Sequence, residues 1–430
     1  MRQWKKAAAR QLCIVVDRLK PLLIKLLPRS VLRYLKNHLL YRVVVPEGRE
    51  RLPYEPGAYP QGINLFGHLR AEMGLGQGAR LTAYALRESG LPYCLINFET
   101  GNSARHADNE LSAEFTDTPR YSINLIHINA GQMDLLHLMR PKEDWDRRYN
   151  IAVWLWELED FPDEWCKYFS LVDEIWAPSR FTAQSIARKS PVPVRVIPYG
   201  ICAEADDTAG RAAFHLPENL FLFLCMYDVN SMMARKNPLG AIHAFKKAFG
   251  HQENGVGLVI KVNNSTEREL SLLRRELEGY PNIYFITNIL PRAQVYSLIK
   301  ACDVFVSLHR SEGFGLVLAE AMLLARPVIG TNWSSVTDFM TKENSCPVGY
   351  ELIRLQQDYY MFKENQRWAE PDIGEAAAYM RRLYADKSYY ETIAQNGQRD
   401  IRRNFSPEKA GEAIYGRLCE LGLFNESPVL

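Results

Sequence analysis

Short apolar segments of strand character alternate with amphipathic helical segments from about residue 61 onward, and this alternation constrains the fold more than any other feature. Several strand segments are apolar throughout, as expected when both faces of their sheet are covered. Such alternation is typical of a parallel, doubly wound α/β sheet. The strand candidates of the first half are GINLFG, LPYCLINF, SINLIHIN, NIAVWLWE, DEIWAPS and VPVRVIPYG.

A second set of alternating segments follows a polar stretch that begins after residue 200. Its strand candidates are FLFLCMYD, VGLVIKV, NIYFIT, DVFVSL and RPVIGT, with helices predicted at 238–249, 292–300 and 315–325. Because 430 residues exceed one ordinary core, we predict an α/β protein of two tandem Rossmann-like domains. The cleft between two such domains is the default place for a ligand.

The predicted domain boundaries follow from these patterns. They give a basic amphipathic arm over residues 1–55, a first Rossmann-like domain over 56–205, a second over 206–404 and a C-terminal helix over 405–430. Ser406 is the expected N-cap of that last helix, because proline follows it at the first helical position.

The N-terminal arm has a charge pattern unlike the rest of the chain. Lys and Arg interleave with Leu over residues 1–42, and Asp17 is the single acid there. An amphipathic helix of this kind suits an anionic membrane surface. A solvated basic helix and a partner-binding arm are the alternatives. A signal peptide is not predicted, because Asp17 and Arg18 end the apolar run and no small-residue cleavage site follows.

Charge and cysteine usage exclude several classes of protein. The formal net charge is only +2, which gives no reason to expect a nucleic-acid partner. The eight cysteines are scattered, without a CxxC pair or a Cys/His cluster. They are therefore interpreted as reduced core residues, and no metal site is predicted. No apolar run approaches the length of a transmembrane helix.

The segment LHRSEGFGLVLAEAM places two acids, Glu312 and Glu320, around a Gly-Phe-Gly. The loop joins a predicted strand to a predicted helix, and ligands of open α/β sheets bind at such carboxyl ends. Gly313 and Gly315 allow the backbone to approach a ligand, and N–H groups at the helix start favour an anion. We expect Glu312 to point away from any core and to accept sugar hydroxyls, and Glu320 to accept a ribose diol. The alternative is a dipole-compensating Glu312 and a solvated Glu320.

A basic pair, Arg235 and Lys236, stands just before the helix that Asn237-Pro238 opens. Cations at a helix N-terminus are electrostatically misplaced unless an anion joins them. The pair is therefore predicted to bind a diphosphate and to neutralise it as a leaving group without a metal.

Weaker indications come from the first domain. Gly74 and Gly76 lie in a glycine-rich loop that opens a helix but lacks the Rossmann G-x-G-x-x-G pattern. His127 and Asn129 follow a predicted strand at its carboxyl end, where a histidine is either a core residue or a functional one. Glu157, in the aromatic segment WLWELEDFPDEW, is a further candidate for the cleft.

With these residues in view, the chain resembles the retaining GT-B glycosyltransferases of the group 1 family (family 4), of the bacterial surface-polysaccharide type. The resemblance rests on the E-x7-E of EGFGLVLAE, on EAMLLARPVIGTNWSS after it, on ARKNP, and on DEIWAPSRF. It covers roughly residues 60–420. The family's usual GG…E after this helix is replaced here by NWSSVTD.

The resemblance implies a role for each candidate. Glu312 would bind donor-sugar hydroxyls, the backbone of the loop would face sugar and diphosphate, and Glu320 would bind the ribose. Lys236 would match the family's diphosphate lysine, and Arg235 would substitute for an arginine whose position Ser231 occupies. The remaining candidates are His127 or Asn129 for the family's histidine, Glu157 on the acceptor side, and Gly313, Phe314, Gly315, Leu316, Gly74 and Gly76 for the donor.

The resemblance thus predicts a metal-independent, retaining hexosyltransferase in polysaccharide biosynthesis, with no cofactor. Its donor would be a GDP- or UDP-sugar bound by the second domain, with mannose as the candidate hexose. Its acceptor, a lipid-linked sugar or an oligosaccharide, would lie on the first domain, to which the last helix would cross back. The expected location is cytoplasmic, peripheral on the inner face of the cytoplasmic membrane. The alternatives are a non-catalytic nucleotide-sugar-binding assembly subunit and a GT-B nucleotide-sugar epimerase.

Overall fold

The computed structural model of the protein describes residues 51–102, 104–359 and 361–424. The basic segment 1–42 and its predicted membrane contact lie outside the described residues. Within the described ranges, no helix is both long and apolar enough to cross a membrane.

The first sheet has six parallel strands in the order β2-β1-β3-β4-β5-β6. Its strands are β1 Ile63–Gly67, β2 Tyr93–Asn97, β3 Ile123–His127, β4 Tyr149–Val153, β5 Glu174–Ala177 and β6 Val194–Val196. The helices that connect them are α1 Gly74–Glu88, α2 Met133–Met139, α3 Asp163–Cys166 and α4 Arg180–Ala187. Every residue of β1 and β3 is buried, as expected for strands covered on both faces, and the buried Asn64 and Asn124 hydrogen-bond to each other at 2.9 Å.

The second sheet also has six parallel strands, in the order β12-β11-β10-β7-β8-β9. Its strands are β7 Phe221–Asp228, β8 Val256–Asn263, β9 Ile283–Ile286, β10 Val304–Ser307, β11 Val328–Thr331 and β12 Cys346–Val348. Its helices are α5 Met233–Lys236, α6 Pro238–Ala248, α7 Glu267–Glu276, α8 Arg292–Ala301 and α9 Leu316–Leu323. A capping box begins α7: the Thr266 side chain accepts from the N–H of Glu269, whose carboxylate accepts from the N–H of Thr266.

The strand order of each sheet reverses at one point, and both reversals concern candidate residues. In the first sheet, β2 and β3 flank β1, so the loop after β1 and the end of β3 open onto one crevice. In the second, β8 and β10 flank β7, which brings the loops after β7 and β10 together. Such switch points are the usual ligand sites of open α/β sheets. The second holds both Lys236 and Glu312, which are far apart in the chain.

An antiparallel hairpin of β13 Tyr350–Arg354 and β14 Arg367–Pro371 follows the second sheet, and the sequence patterns did not predict it. Its apolar side chains pack into the core of the first domain, where Phe362 stacks on Trp156 with ring centroids 5.0 Å apart. Arg367 also pairs with Glu159 at 3.0 Å. The hairpin therefore ties the two domains together beside the cleft.

Three helices complete the chain: α10 Ile373–Ala385, α11 Lys387–Asn404 and α12 Pro407–Glu420. Ser406 caps α12 by accepting from the N–H of Lys409, with proline at the first position, as predicted. The helix packs on α1 of the first domain. Arg417 donates to both oxygens of the fully buried Glu174 carboxylate, at 2.9 and 2.8 Å.

Candidate functional site

An ion pair joins the two loops at the switch point of the second sheet. Lys236, at the end of α5, places its ammonium nitrogen 2.5 Å from Oε1 of Glu312, in the loop after β10. Arg235 reaches the other carboxylate oxygen at 3.4 Å. Glu312 is buried, with a side chain 9% exposed, so the expectation that it points away from any core is wrong. Burial is tolerated because the neighbouring loop supplies two cations.

The electrostatics of this cluster keep Glu312 charged. Burial by itself would raise the pKa of the carboxyl, but the adjacent Lys236 and Arg235 outweigh it and lower the pKa to about 2. The carboxylate is therefore an acceptor at physiological pH, able to receive hydrogen bonds from hydroxyl groups as well as from the cations.

Arg235 is buried and fixed to the backbone of both loops. Its guanidinium donates to the carbonyl oxygens of Ser311 at 2.8 Å and Ser231 at 3.1 Å, and lies 3.7 Å from the Glu157 carboxylate. Its Nε has no partner within the described residues. The guanidinium thus lies beside Ser231, where the resemblance places the family's arginine, and it retains a free N–H.

The Gly-Phe-Gly loop is held by contacts from both domains. The Gly313 carbonyl oxygen accepts from the hydroxyls of Ser179, 2.9 Å away, and Thr182, 3.1 Å away, both on α4 or its cap. Phe314 is buried against Tyr199 of the first domain, with ring centroids 5.1 Å apart. Gly315 adopts φ +90° as the N-cap of α9, a conformation that favours glycine.

Glu320 lies on α9, whose first residue is Leu316, and is completely buried. The solvated alternative for this acid is therefore wrong. Its Oε1 contacts the Arg292 guanidinium and the Tyr296 hydroxyl, the latter at 3.2 Å. Its Oε2 has no partner in the described part of the chain. One oxygen is thus fixed, and the other is a buried acceptor without a hydrogen bond from the described residues.

His127 ends β3 at the first switch point and is completely buried, which lowers its pKa to about 4. Its Nε2 lies 2.9 Å from the Tyr199 hydroxyl. Since Tyr199 also contacts Phe314, the histidine is linked to the Gly-Phe-Gly loop across the cleft. It is held as a neutral imidazole.

A titration of stability tests the burial of His127. Because its folded pKa lies below the ordinary 6.5, the unfolded chain takes up the proton first as pH falls. The associated stability is complete above pH 6.5 and is lost towards pH 4. We expect His127→Gln to reduce the loss of unfolding free energy between pH 7 and pH 5 by about 2 kcal/mol. Urea titrations at both pH values measure this; the exposed control His243→Gln should keep the wild-type slope.

The acceptor-side candidates have different surroundings. The side-chain oxygen of Asn129 accepts from the N–H of Leu155 at 3.0 Å. The strand β4 ends at Val153, earlier than its apolar pattern suggests. Beyond it, the N–H of Leu155 is paired by the Asn129 side chain instead of by the backbone of a neighbouring strand. Glu157 faces Arg235 with its carboxylate, and its carbonyl oxygen accepts from Ser311. Glu157 therefore borders the charged cluster, whereas Asn129 shapes the loop.

The glycine-rich loop leads into α1, which begins at Gly74. A Cβ on Gly76 would meet the carbonyl oxygen of Ala71 at 2.1 Å, whereas a Cβ on Gly74 would meet nothing within 4 Å. Of these two glycines, only Gly76 is required by close backbone approach. The first turn of α1 also carries Gln77, whose amide donates to Tyr296 of the second domain at 3.2 Å.

These two glycines form a matched pair for mutation. Gly76→Ala should force the backbone apart and lower the free energy of unfolding by about 1–3 kcal/mol, the usual cost of overpacking. Gly74→Ala, at an exposed position, should leave it nearly unchanged. Thermal and urea unfolding of both variants measure the difference; equal effects would contradict the assigned geometry.

Several site residues were missed by sequence reasoning. Arg292, Tyr296 and Tyr199 carried no local motif and meet the site only through long-range contacts, whereas His309 stands in the quoted segment itself but was not singled out. His309 precedes the loop, is completely buried, and has its pKa lowered to about 4 by that burial. The one sequence feature that pointed to a further part of the site was the NWSSVTD segment. It departs from the family pattern and contains residues that contact Glu312. Among the described residues, no group of three or more His, Cys, Asp or Glu could hold a metal ion.

The match to a known protein family lies within the second domain. Residues 215–400, which include the second sheet and the charged cluster, match the family model described as glycosyl transferases group 1. Comparison with proteins of curated function yields no match.

Solved structures match over both domains. A glycosyltransferase from Rickettsia africae has a TM-score of 0.61 at 13% identity, covering 88% of this chain and 100% of that chain. The Anabaena protein HepE, solved with UDP-glucose, has a TM-score of 0.60 at 14% identity, covering 84% and 100%. Sucrose-phosphate synthase from Thermosynechococcus elongatus has a TM-score of 0.58 at 16% identity, covering 86% and 99%. Some matching structures are longer, and this chain covers only 55% of their length.

These likenesses confirm the predicted fold class. Two parallel six-stranded sheets with helices on their faces stand in tandem, and the matching structures share this arrangement over nearly their whole length. The fold is GT-B, with two Rossmann-like domains.

Proposed function

We propose that this protein is a retaining glycosyltransferase that moves a hexose from a nucleotide diphosphate sugar to a lipid-linked or glycan acceptor in polysaccharide biosynthesis. The observation that carries the proposal is the cluster of Glu312, Lys236 and Arg235 at the switch point of the second sheet. Sequence and fold support it, since residues 215–400 match the group 1 model and HepE was solved with UDP-glucose.

The cluster suits a donor that carries a diphosphate between two sets of hydroxyls. Lys236 is the most accessible of the three, with a side chain 23% exposed, and its ammonium can turn from Glu312 to a phosphate oxygen. Glu312 then keeps Arg235 as a charge partner and offers an oxygen to sugar hydroxyls. The unpartnered Oε2 of Glu320 suits a ribose hydroxyl. The proposed donor is a UDP- or GDP-sugar, with mannose as the candidate hexose.

The proposed reaction proceeds on one face of the sugar without a metal. The acceptor oxygen bonds to the anomeric carbon as the bond from that carbon to the phosphate oxygen breaks. The acceptor's proton passes to the departing diphosphate. Lys236, Arg235 and the start of α9 stabilise the negative charge that develops there. Glu312 orients the sugar and forms no covalent bond.

Two measurements test the proposal. A thermal-shift panel of UDP-, GDP-, ADP- and dTDP-hexoses should show stabilisation by one donor class, because a ligand of the folded state raises the melting temperature with its occupancy. NMR of the product should show the donor's anomeric configuration. Inversion would overturn the mechanism, the absence of any shift would overturn the nucleotide-sugar donor, and a shift without any transfer product would favour the non-catalytic alternative.

The proposed location is the cytoplasmic face of the cell membrane, reached through the basic residues 1–42. The arm's composition supports it. Deletion of residues 1–42 should release the protein from anionic vesicles in a sedimentation assay; retained binding would overturn this part of the proposal.

A further inference from the structure

The segment that follows β11 contacts the backbone of Glu312 on both sides. The Ser334 hydroxyl oxygen accepts from the N–H of Glu312 at 2.9 Å. The neighbouring Ser335 hydroxyl donates to the carbonyl oxygen of Glu312 at 2.8 Å. Ser334 is 3% exposed and Ser335 is completely buried. Both peptide groups that flank the Glu312 side chain are therefore fixed by adjacent hydroxyls.

Ser334 makes its contact from an unfavourable backbone conformation. Its φ is +67°, in the left-handed region that glycine occupies at little cost and other residues rarely adopt. A glycine would suit the backbone better, yet it would leave the N–H of Glu312 without this acceptor. Because Glu312 is buried, water cannot easily take its place. The hydroxyl therefore accounts for a serine at a strained position.

The two serines belong to the same domain as Glu312, unlike the other hydroxyls of the loop. Ser179 and Thr182 reach the next carbonyl, that of Gly313, from the first domain. Their hold on the loop depends on how the domains meet, whereas the Ser334 and Ser335 contacts depend on the second domain alone. The segment also extends to Asp338, which pairs with Arg180 of the first domain at 2.9 Å.

We propose that Ser334 and Ser335 are positioning residues that aim the Glu312 carboxylate at the hexose of the donor. This inference rests on the proposed function. The inference extends that function by assigning part of the recognition of the sugar to the NWSSVTD segment. The nucleotide half of the donor is held by Lys236 and Glu320, which the two hydroxyls do not contact. Removing either hydroxyl should therefore weaken binding of the sugar more than binding of the nucleotide.

Calorimetric titration with UDP and UDP-glucose, and with GDP and GDP-mannose as the second pair, tests this. Ser334→Gly keeps the φ that the backbone requires and removes the hydroxyl, so relief of backbone strain should offset the unpaired N–H and leave the melting temperature close to that of the wild type. Binding of the nucleotide sugar should weaken about ten-fold, the effect of one lost hydrogen bond. Binding of the free nucleotide should change less than two-fold.

Two further variants separate positioning from folding. Ser335→Ala should show the same split between sugar and nucleotide. His215→Gly, which also replaces a left-handed residue (φ +55°) but is exposed and far from Glu312 in sequence, should bind both ligands as the wild type does. If Ser334→Gly and Ser335→Ala bind the nucleotide sugar as tightly as the wild type, the inference is wrong while the proposed function stands. If the wild type binds no nucleotide sugar, both fall together.

Discussion

Glu312→Gln is expected to lower kcat/KM for sugar transfer by about 10²–10³-fold, the usual effect of removing one preorganised electrostatic group. Glutamine keeps the shape of the side chain but removes the charge that faces Lys236 at 2.5 Å and Arg235 at 3.4 Å. The carboxamide also accepts more weakly from sugar hydroxyls. The fold should persist, because the partly exposed Lys236 can turn its charge to water and the buried Arg235 keeps Glu157 as a charge partner.

Initial-rate measurements with the donor identified by the nucleotide-sugar panel provide the test. Glu343→Gln is the matched control, since this glutamate is exposed and lies in the same domain. It should retain wild-type kcat/KM. If Glu312→Gln keeps the wild-type melting temperature and turns over at a near-wild-type rate, Glu312 has no role in transfer and the assignment of the cluster is wrong.

Arg417→Ala should lower the free energy of unfolding by about 3–5 kcal/mol, the effect of leaving a buried charge without its partner. The guanidinium makes both hydrogen bonds from α12 to Glu174, whose side chain is 0% exposed. Trp176 donates to the same carboxylate at 2.8 Å, but a neutral donor does not compensate its charge. The helix packs on α1, so its detachment would also expose the apolar surface between them.

Urea unfolding measures this effect, with Lys409→Ala as the matched control on the same helix. Lys409 is half exposed and pairs with Glu412, so its loss should cost less than about 1 kcal/mol. Adding Glu174→Gln to Arg417→Ala should restore part of the stability, because the stranded charge is then gone. Equal effects of the Arg417 and Lys409 substitutions would show that α12 is not anchored by the buried pair.

The sequence predicted those features that depend on local chemistry. The strands β1 to β11 of the two sheets follow from their hydrophobic periodicity, whereas the three-residue β12 was not predicted. The caps at Thr266 and Ser406 lie within one helical turn of their partners. The parallel order of the strands places Lys236 beside Glu312, since both follow the carboxyl ends of strands that meet at one switch point. The rule that ligands bind where the strand order reverses is sufficient to predict that these two loops meet at one edge of the sheet.

The features that were missed depend on contacts between distant segments. The burial of Glu312 cannot be inferred from its own loop, because the cations that permit it come from the loop after β7. The same is true of Glu320, which is buried because Arg292 of a different helix compensates its charge. The hairpin of β13 and β14 lacks a regular alternation of apolar residues. Its packing partners are aromatic residues of the first domain, which lie far from it in the sequence.

The most direct test of the central claim is a calorimetric titration of a UDP- or GDP-sugar into the wild type, Lys236→Ala and the control Lys387→Ala. Lys236 adjoins Glu312 at the switch point, whereas the Lys387 side chain is 88% exposed. We predict saturable binding by the wild type and the control, and at least ten-fold weaker binding by Lys236→Ala. Equal binding by all three proteins, or no binding by any of them, would contradict the account.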